Sequence, residues 1–536
     1  MPDAVAPRVR VCRSGLDLGT GEVMPLWSGA LHYWRLPQVR WDEALAGVRG
    51  LGFAAVETYV PWSVHEIAPG EYDFGTRDGQ RDLGKFLARV QAAGLKCLLR
   101  PGPHINAEMT LFGFPERIIA DPGMQARTAR DTPAFLPAPP RAFPVPSYAS
   151  RRFLDAAAEW LRAFAAIALP HLWPTGPVVA IQVDNECGYF FRSGPYDLDY
   201  HPDAVAAFRA FLARRYGDDA GLAAAWRRDV TLAAVAPPRR FAAARPEDLV
   251  EHLDWITFKE HLTTGALGEL AAVLRGEGLG VVPLYHNLPP SDPGQGGLPG
   301  IERVVDFCGV DYHHPGRDYD RVRERALYQV GTSALPYAPE LGAGAMLAGL
   351  PVTPEEQRGI ILATLMHGLR GANLYMAVDR ERWYGAPLAK SGAEREPLGP
   401  FLKRLSAALA ETRLFARERA AEVALVLPPV YRRLALATQL LEAAPPMIME
   451  FAGLGAAELC REDSFGLAGP VQLEHAAAVR AITRALARAH VPYVIVDGGA
   501  EPVRLAGYRV LLCPTFDLLD RELAVALAAA ADAGVR

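Results

Sequence analysis

Cysteine is scarce in this sequence and forms no recognisable motif. The 536 residues include six cysteines, which are scattered and contain no CxxC pair. We interpret them as free thiols in a reducing compartment. The N-terminal residues lack the apolar segment of a secretion signal, and no later run reaches about 18 uninterrupted apolar residues, the length that crosses a bilayer. The sequence therefore predicts a cytoplasmic protein that does not span a membrane.

Concentrated charge is also missing. The net charge is −5, and the 22% of residues that are charged intersperse both signs. A partner that binds through a strongly charged surface, such as nucleic acid or an anionic membrane, is therefore not expected. Half of the residues are hydrophobic, which indicates a globular protein with a sizeable core. At this length the chain can hold a complete barrel and one further unit.

Motifs for metals and nucleotides are absent as well. His313 and His314 are adjacent, and adjacent strand residues point to opposite sides, so the two cannot easily bind one ion. No HxH or HExxH motif accompanies them, and Gly498-Gly499 is not a GxGxxG fingerprint. We therefore predict neither a metal nor a cofactor. His32 and His104 are interpreted as pocket walls or hydrogen-bond partners.

Short apolar runs alternate with amphipathic stretches over the first 400 or so residues, which predicts repeated βα units. Eight such strands indicate a (β/α)8 barrel in a catalytic domain over residues 1–415, with insertions at 133–146, expected to be irregular, and at 192–240, expected to be partly helical. The predicted strands are Met24–Tyr33, Ala55–Pro61, Lys96–Pro101, Val178–Asp184, Val281–Tyr285, Phe307–Asp311, Leu335–Ala338 and Gly371–Ala377. The predicted helices are Arg81–Ala93, Phe153–Ala168, Leu249–Arg275, Pro354–Leu369 and Pro397–Phe415.

The α/β pattern restarts at Glu422. It predicts a second, flavodoxin-like domain over residues 421–536, built as a doubly wound sheet. We expect this domain to be truncated, because the chain stops at Arg536, where the next strand should begin. Its predicted elements are the strands Val423–Leu427, Tyr493–Val496 and Tyr508–Cys513 and the helices Leu473–Ala489 and Asp520–Ala533.

Two apolar runs, far apart in sequence, end in a glutamate. They are Ile181–Glu186 and Leu335–Glu340, on predicted strands 4 and 7. A carboxylate at the C-terminal end of a barrel strand is rigidly held and faces the pocket. Cleavage of a glycosidic bond needs two, one to protonate the leaving oxygen and one to attack or stabilise the sugar cation, about 5–5.5 Å apart when configuration is retained. A single such glutamate is more often a helix cap or a salt-bridge partner, but the pair, with Asn185 before one of them, favours catalysis.

Aromatic and polar side chains cluster near the same strand ends. Aromatic rings can stack on the apolar faces of a sugar, while Asn106, Glu108 and Asn185 can hold its hydroxyl groups. Together they predict a pyranose-binding site. The aromatic residues are Trp27, Tyr33, Trp34, Tyr59, Trp62, Tyr312, Tyr375, Trp383 and Tyr384.

Three segments of the chain resemble family 35 glycoside hydrolases, the β-galactosidases. They are Ser28–Tyr33 (SGALHY), Val56–Trp62 (VETYVPW) and Leu99–Glu108 (LRPGPHINAE). The resemblance covers about residues 20–400 and implies a retaining mechanism with Glu186 as acid/base and Glu340 as nucleophile. Strand ends and resemblance together predict the substrate-binding residues Tyr59, Asn106, Ala107, Glu108, Asn185, Tyr312, Tyr375 and Tyr384.

The resemblance implies a retaining exo-β-galactosidase that acts on a β-galactoside oligosaccharide or glycoconjugate. The chain departs from the family pattern around the pocket, at His104, Met109, Cys187 and Leu341. The natural substrate, its linkage and the exact sugar therefore stay open. The alternatives are another retaining β-glycosidase of the same barrel clan, acting on β-glucosides or β-glucosaminides, and a catalytically silent sugar-binding protein. The second domain looks more like the middle domain of family 42 β-galactosidases, which implies a homo-oligomer.

Overall fold

Eight parallel strands form a barrel in the N-terminal part of the chain. The computed structural model describes residues 9–138, 141–187, 194–289, 296–313, 318–346, 352–440 and 459–536. The barrel strands are β1 Leu26–Ala30, β2 Ala55–Tyr59, β3 Lys96–Arg100, β4 Val178–Gln182, β5 Leu284–Leu288, β6 Phe307–Val310, β7 Tyr337–Gly342 and β8 Gly371–Tyr375. They lie in the order β6-β5-β4-β3-β2-β1-β8-β7.

The barrel closes between β6 and β7. The backbone N–H of Tyr312 donates to the carbonyl oxygen of Glu340 at 2.7 Å, and that of Gly342 donates to the carbonyl of Tyr312 at 2.9 Å. The (β/α)8 prediction is therefore confirmed. Closure brings the C-terminal ends of all eight strands to one face, where the pocket of such a barrel forms.

Two predicted strand boundaries differ from the structure. The fifth strand was predicted at Val281–Tyr285 but runs over Leu284–Leu288, because Leu279–Val281 forms a 3-10 helix. The seventh extends beyond its predicted end at Ala338 to Gly342. Both changes carry more of the chain towards the pocket face.

Helices cover the outside of the barrel. Several begin at side-chain caps: the Ser150 and Asp82 oxygens accept backbone N–H groups at the starts of two helices, and Thr353 and Glu356 form a reciprocal capping box at a third. The larger helices are Trp41–Gly50, Leu83–Ala92, Arg151–Ala168, Leu249–Gly276, Tyr319–Thr332, Pro354–Met366 and Leu398–Thr412. No helix among the described residues is long and apolar enough to cross a bilayer.

The two insertions have different structures. The first, predicted to be irregular, contains a pair of antiparallel strands, Phe135–Ala138 and Arg141–Pro144, so that prediction is wrong. Apolar residues such as Leu136 and Phe143 alternate with others and turn into the core, which favours strand pairing. The second insertion contains the helices Pro202–Tyr216 and Asp219–Trp226, and residues 192–193 lie outside the described ranges. Smaller strands in the barrel domain are Arg10–Cys12, Gly15–Asp17, Val23–Met24, Glu66–Ala68, Glu71–Tyr72, Ala345–Met346 and Trp383–Tyr384.

The C-terminal residues form a small parallel sheet that packs on the barrel. Its strands, β9 Val423–Leu427, β10 Tyr493–Asp497 and β11 Val510–Leu512, lie in the order β10-β9-β11. The hydroxyl of Tyr328, in a barrel helix, donates to Asp497 at 2.8 Å, and the Asp497 N–H donates to the Thr332 hydroxyl at 3.0 Å. These contacts tie the end of β10 to the barrel. The helices of this part include Pro429–Ala437, Val471–Arg488, Pro502–Ala506 and Arg521–Asp532.

Candidate active site

Glu340 lies in β7 with its carboxylate held by three side chains. Its Oε1 accepts from Arg100 Nη2 at 2.6 Å and from the Tyr59 hydroxyl at 2.8 Å. Its Oε2 accepts from His313 Nε2 at 3.1 Å. Burial alone would raise the pKa of Glu340, but the charge of Arg100 and the bonds from His313 and Tyr59 lower it to about 2. Glu340 is therefore a carboxylate at neutral pH, as a nucleophile requires.

Glu186 lies four residues beyond the end of β4, in the opposite electrostatic situation. Its backbone N–H donates to Asn287 Oδ1 at 3.0 Å, and the residue is 5% exposed. Burial and the negative charge of Glu340 raise its pKa well above the usual value for a glutamate, although Arg100 opposes the shift. Two carboxyl groups whose environments push their pKa values apart can serve as an acid and a base in one pocket.

Asn185 sits at the centre of a hydrogen-bond network. Its Oδ1 accepts from Arg100 Nη2 at 2.6 Å, from the Tyr59 hydroxyl at 2.9 Å and from Asn287 Nδ2 at 3.0 Å. Gln182 Nε2 lies 3.3 Å away from the same oxygen. With so many donors around its oxygen, the amide is fixed in one orientation, and its NH2 group remains as the part that can donate to a ligand.

Tyr375 and Glu108 both contact the buried side chain of Arg380, at another part of the face formed by the C-terminal ends of the strands. Arg380 Nη2 donates to the Tyr375 hydroxyl at 3.0 Å and forms an ion pair with the Glu108 carboxylate. Residues 106–108 form the turn that carries Glu108, with φ of 50°, 49° and 50°. The Ala107 carbonyl accepts from Arg35 Nη2 at 2.8 Å. Tyr59, Ala107 and Tyr375 belong to one buried apolar cluster.

Two predicted binding residues do not join this arrangement. The Tyr312 hydroxyl donates to Gln329 in a surrounding helix at 3.1 Å, so the side chain points out of the barrel and the prediction is wrong. Its neighbours Asp311 and His313 point inward instead, as the alternation along an extended chain requires. Tyr384 is 58% exposed, whereas Trp383 packs edge-on against Tyr375 with ring centroids 5.1 Å apart. The inward aromatic residue is thus Trp383 and not Tyr384.

Sequence reasoning missed several polar residues of the site. Arg100 ends β3 and touches both Glu340 and Asn185, and Asn287 touches Asn185 and the backbone of Glu186. The sequence does indicate that Arg100 has buried partners, because a buried arginine at the end of an otherwise apolar strand must be paired. Asn287 was hidden by the misplaced fifth strand. Glu57, Asp311 and His313 stand at predicted strand ends but were given no role, and Arg380 was missed.

The two singled-out histidines are buried and uncharged. His104 Nδ1 lies 2.7 Å from the carbonyl oxygen of Asn185, and burial lowers the pKa of His104 to about 4. His32 packs between Trp34 and the edges of Tyr59 and Tyr375. Within the described ranges, which omit His314, no three His, Cys, Asp or Glu side chains are grouped so that they could hold a metal ion.

A cavity of about 800 Å³ adjoins the site on the side of Glu108. Arg35 and Glu108 belong to its lining, together with Trp34, Glu66, Met109 and Arg382. Its size falls in the range of small-molecule sites, roughly 300–1,000 Å³. The Glu66 carboxylate is held there by Arg117, at 2.6 Å.

Glu108→Gln should destabilise the protein, because it leaves Arg380 without its ion-pair partner. The Arg380 side chain is 1% exposed and that of Glu108 is 19% exposed, so little water can replace the carboxylate. Hydrogen bonds to charged groups contribute about 1.5–3 kcal/mol, and we expect a loss of that order in the free energy of unfolding by urea denaturation. Glu108→Gln combined with Arg380→Gln should recover part of the loss. An unchanged free energy in the single variant would contradict this role of the pair.

Comparison with known proteins gives a family for the N-terminal part of the barrel. Residues 18–138 match glycosyl hydrolases family 35. A β-galactosidase of Mus musculus is 32% identical over 200 residues, which are 36% of this chain and 26% of that protein. A β-galactosidase of Xanthomonas manihotis is 35% identical over 179 residues, 33% of this chain and 26% of that protein. The aligned stretch thus spans about a quarter of the curated relatives' length.

Solved structures with the same fold cover nearly the whole chain. A β-galactosidase from the haloarchaeon Halorubrum lacusprofundi has a TM-score of 0.68 and 17% identity, over 94% of this chain and 71% of that one. A family 42 β-galactosidase from G. stearothermophilus has a TM-score of 0.65 and 15% identity, over 94% and 70%. At these identities the similarity establishes the fold alone, and the likeness of the C-terminal domain to family 42 stays a prediction. Over residues 18–138, this chain is thus similar to glycosyl hydrolases family 35.

Proposed function

We propose that the protein is a retaining exo-β-galactosidase that removes terminal non-reducing β-D-galactosyl residues from an oligosaccharide or glycoconjugate. One observation carries the proposal: Arg100 and Tyr59 hold the Glu340 carboxylate, while burial and the charge of Glu340 raise the pKa of Glu186. A nucleophile beside an acid is the pair that retaining cleavage requires. The β-galactosidases among the relatives and the structural neighbours support the choice of sugar.

In the first half-reaction, the Glu340 carboxylate attacks the anomeric carbon while Glu186 gives its proton to the glycosidic oxygen. The bond between carbon and leaving oxygen breaks, and a galactosyl ester of Glu340 forms. Arg100 and Tyr59 hold the attacking carboxylate in place. In the second half-reaction, ionised Glu186 takes a proton from water, and the resulting hydroxyl attacks the anomeric carbon and frees Glu340. No cofactor takes part in these steps.

The hydroxyl groups of the sugar need fixed partners. We assign this role to Tyr59, Asn106, Ala107, Glu108, Asn185 and Tyr375. Trp383, whose indole N–H donates to the Ala343 carbonyl, takes the place predicted for Tyr384 only as an aromatic wall. Asn185 is suited to it because its oxygen is already occupied, which orients the amide NH2. Arg380 holds the Glu108 carboxylate and also donates to the Tyr375 hydroxyl.

Initial rates on a panel of 4-nitrophenyl β-glycosides test this proposal. We expect kcat/KM for the β-galactoside to exceed that for the β-glucoside at least about 100-fold, because a site built to bind a hydroxyl group rejects a sugar that places it elsewhere. Faster cleavage of the β-glucoside or β-glucosaminide would favour the rival glycosidases. Galactose binding by calorimetry without any cleavage would favour a silent sugar-binding protein.

The C-terminal domain has a proposed role in assembly rather than in catalysis. All residues assigned to the site precede residue 397, while the domain contacts the barrel through Tyr328, Thr332 and the pair of Glu260 with Arg433. Sedimentation equilibrium of the purified chain should therefore show a homo-oligomer, and a monomer at micromolar concentration would contradict this role. Six free cysteines fit the cytoplasmic compartment that we propose.

A further inference from the structure

The backbone of the turn that carries Glu186 is held by side chains from neighbouring strands. β4 ends at Gln182, and residues 183–187 continue beyond it at the pocket face. Asp184 and Glu186 have φ of 56° and 43°, in the left-handed region that residues other than glycine rarely adopt. Such a conformation persists only where the surrounding structure fixes it. The contacts that fix this turn therefore decide where the Glu186 carboxyl group points.

His286, in β5, bonds to the turn at both of its ends. Its Nδ1 lies 2.8 Å from the carbonyl oxygen of Val183, and the backbone N–H of Cys187 donates to its Nε2 at 3.3 Å. A carbonyl oxygen only accepts, so Nδ1 carries the proton and Nε2 is the acceptor of a neutral ring. The ring is completely buried, and burial lowers the pKa of His286 to about 4, which keeps it in this neutral form at neutral pH.

The peptide groups on both sides of Glu186 are fixed as a result. On its N-terminal side, its own N–H donates to Asn287 Oδ1 at 3.0 Å. On its C-terminal side, the N–H of Cys187 donates to His286. Because each peptide group is planar, fixing the two that flank a residue also fixes the direction in which its side chain leaves the backbone. Asn287 and His286 are adjacent in β5, so one strand holds both peptide groups.

We propose that His286 is a positioning residue that aims the Glu186 carboxyl group at the glycosidic oxygen. This inference rests on the proposed function, in which Glu186 is the acid. Both ring nitrogens of His286 are bonded to backbone groups of the turn, so the residue acts through Glu186 and not on the substrate. A general acid must lie within about 2.6–3.2 Å of the atom that it protonates. Without His286 the peptide that follows Glu186 can rotate, and the carboxyl group moves with it.

His286→Phe tests the proposal through the ratio of two kcat/KM values. The variant keeps a buried ring but removes both bonds to the turn. For 4-methoxyphenyl β-galactoside, which needs the proton of Glu186, kcat/KM should fall by about 100-fold, the effect of a displacement of about 1 Å. For 2,4-dinitrophenyl β-galactoside, which needs little protonation, it should fall by less than about threefold. Loss of folded protein lowers both values equally, so the ratio reports the position of the acid.

His65→Phe is the matched control. His65 is also completely buried, and burial lowers its pKa to about 4. Its Nδ1 lies 2.9 Å from the Asp73 carbonyl oxygen and its Nε2 lies 2.6 Å from the Tyr33 hydroxyl, so it has the same pattern of two bonds. Neither partner belongs to the turn, and the ratio should keep its wild-type value. An unchanged ratio in His286→Phe, or equal changes in the two variants, would overturn the proposal.

His286→Gln should restore part of the ratio. Its side-chain oxygen can take the place of Nε2 and accept from the Cys187 N–H, which the phenylalanine ring cannot do. The ratio should therefore lie between those of the wild type and His286→Phe. A folded His286→Gln protein with a ratio as low as that of His286→Phe would show that the bond from Cys187 does not position the acid, and would contradict the proposal.

Neutron diffraction from crystals of the wild-type protein tests the contact without any variant. Deuterium should be found on His286 Nδ1 and not on Nε2, since Nε2 has to accept from Cys187. Deuterium on Nε2 would overturn the proposal even if every variant failed to fold. If the wild-type protein cleaves no galactoside at all, the proposed function fails instead, while the deuterium positions still decide whether His286 holds the turn.

Discussion

Glu340→Gln should abolish galactoside hydrolysis, lowering kcat by roughly 10⁴-fold or more for every leaving group. The amide cannot attack the anomeric carbon, so no ester intermediate forms, and no leaving group can compensate for that. Folding should survive, because the glutamine oxygen can still accept from Arg100 Nη2 and Tyr59, which reach Glu340 Oε1 at 2.6 and 2.8 Å in the wild type. Stopped assays with 4-nitrophenyl and 2,4-dinitrophenyl β-galactoside measure the loss.

The control for Glu340→Gln has to show whether activity is lost because the nucleophile is gone or because Arg100 has lost a negatively charged partner. Glu57→Gln serves, because Glu57 also faces Arg100 but its pKa, raised by burial to about 7, leaves it only partly ionised at neutral pH. Its loss should therefore lower kcat far less. A 2-deoxy-2-fluoro-β-galactoside gives an independent readout: peptide mass spectrometry should find the trapped sugar on Glu340. Label on another carboxylate, or comparable losses in the two variants, would refute the assignment.

The barrel could be predicted because its strands are short apolar runs separated by amphipathic helices, a local property of the sequence. The fifth strand was misplaced for an equally local reason. Val281, Val282 and Leu284 are apolar and two of them are β-branched, which is typical of a strand, whereas the true strand includes the polar His286 and Asn287. Inside a barrel such polar residues are stabilised by partners on neighbouring strands, and a single segment does not reveal those partners.

In the candidate site too, residues with a local sequence signal could be predicted, and those that depend on distant partners could not. Glu186 and Glu340 could be proposed from strand ends alone, since that position faces the pocket in any barrel of this kind. Arg100 could not be assigned a role, because its partners, Asn185 and Glu340, lie 85 and 240 residues away in sequence. The errors at Tyr312 and Tyr384 have a different cause. Each lies one position from an inward-facing residue, and a shift of one residue reverses the direction of a side chain.

Glu186→Ala should separate the two half-reactions by their dependence on the leaving group. General acid catalysis contributes about 10²–10⁴-fold, so cleavage of a poor leaving group such as 4-methoxyphenol should fall by that order. The first step on 2,4-dinitrophenyl β-galactoside should be nearly spared, because dinitrophenolate leaves without a proton. The ester on Glu340 should then accumulate and appear as a burst of dinitrophenol, since the base that activates water is missing.

Azide distinguishes the roles of the two glutamates. It needs no base to attack the ester on Glu340, and removal of the Glu186 side chain opens space and removes charge on the face where water attacks. Turnover of dinitrophenyl β-galactoside by Glu186→Ala should therefore rise with azide and yield β-galactosyl azide, identified by proton NMR. In Glu340→Ala, azide can only replace the nucleophile and should give the α product. A β product from Glu340→Ala, with no rescue of Glu186→Ala, would reverse the two roles.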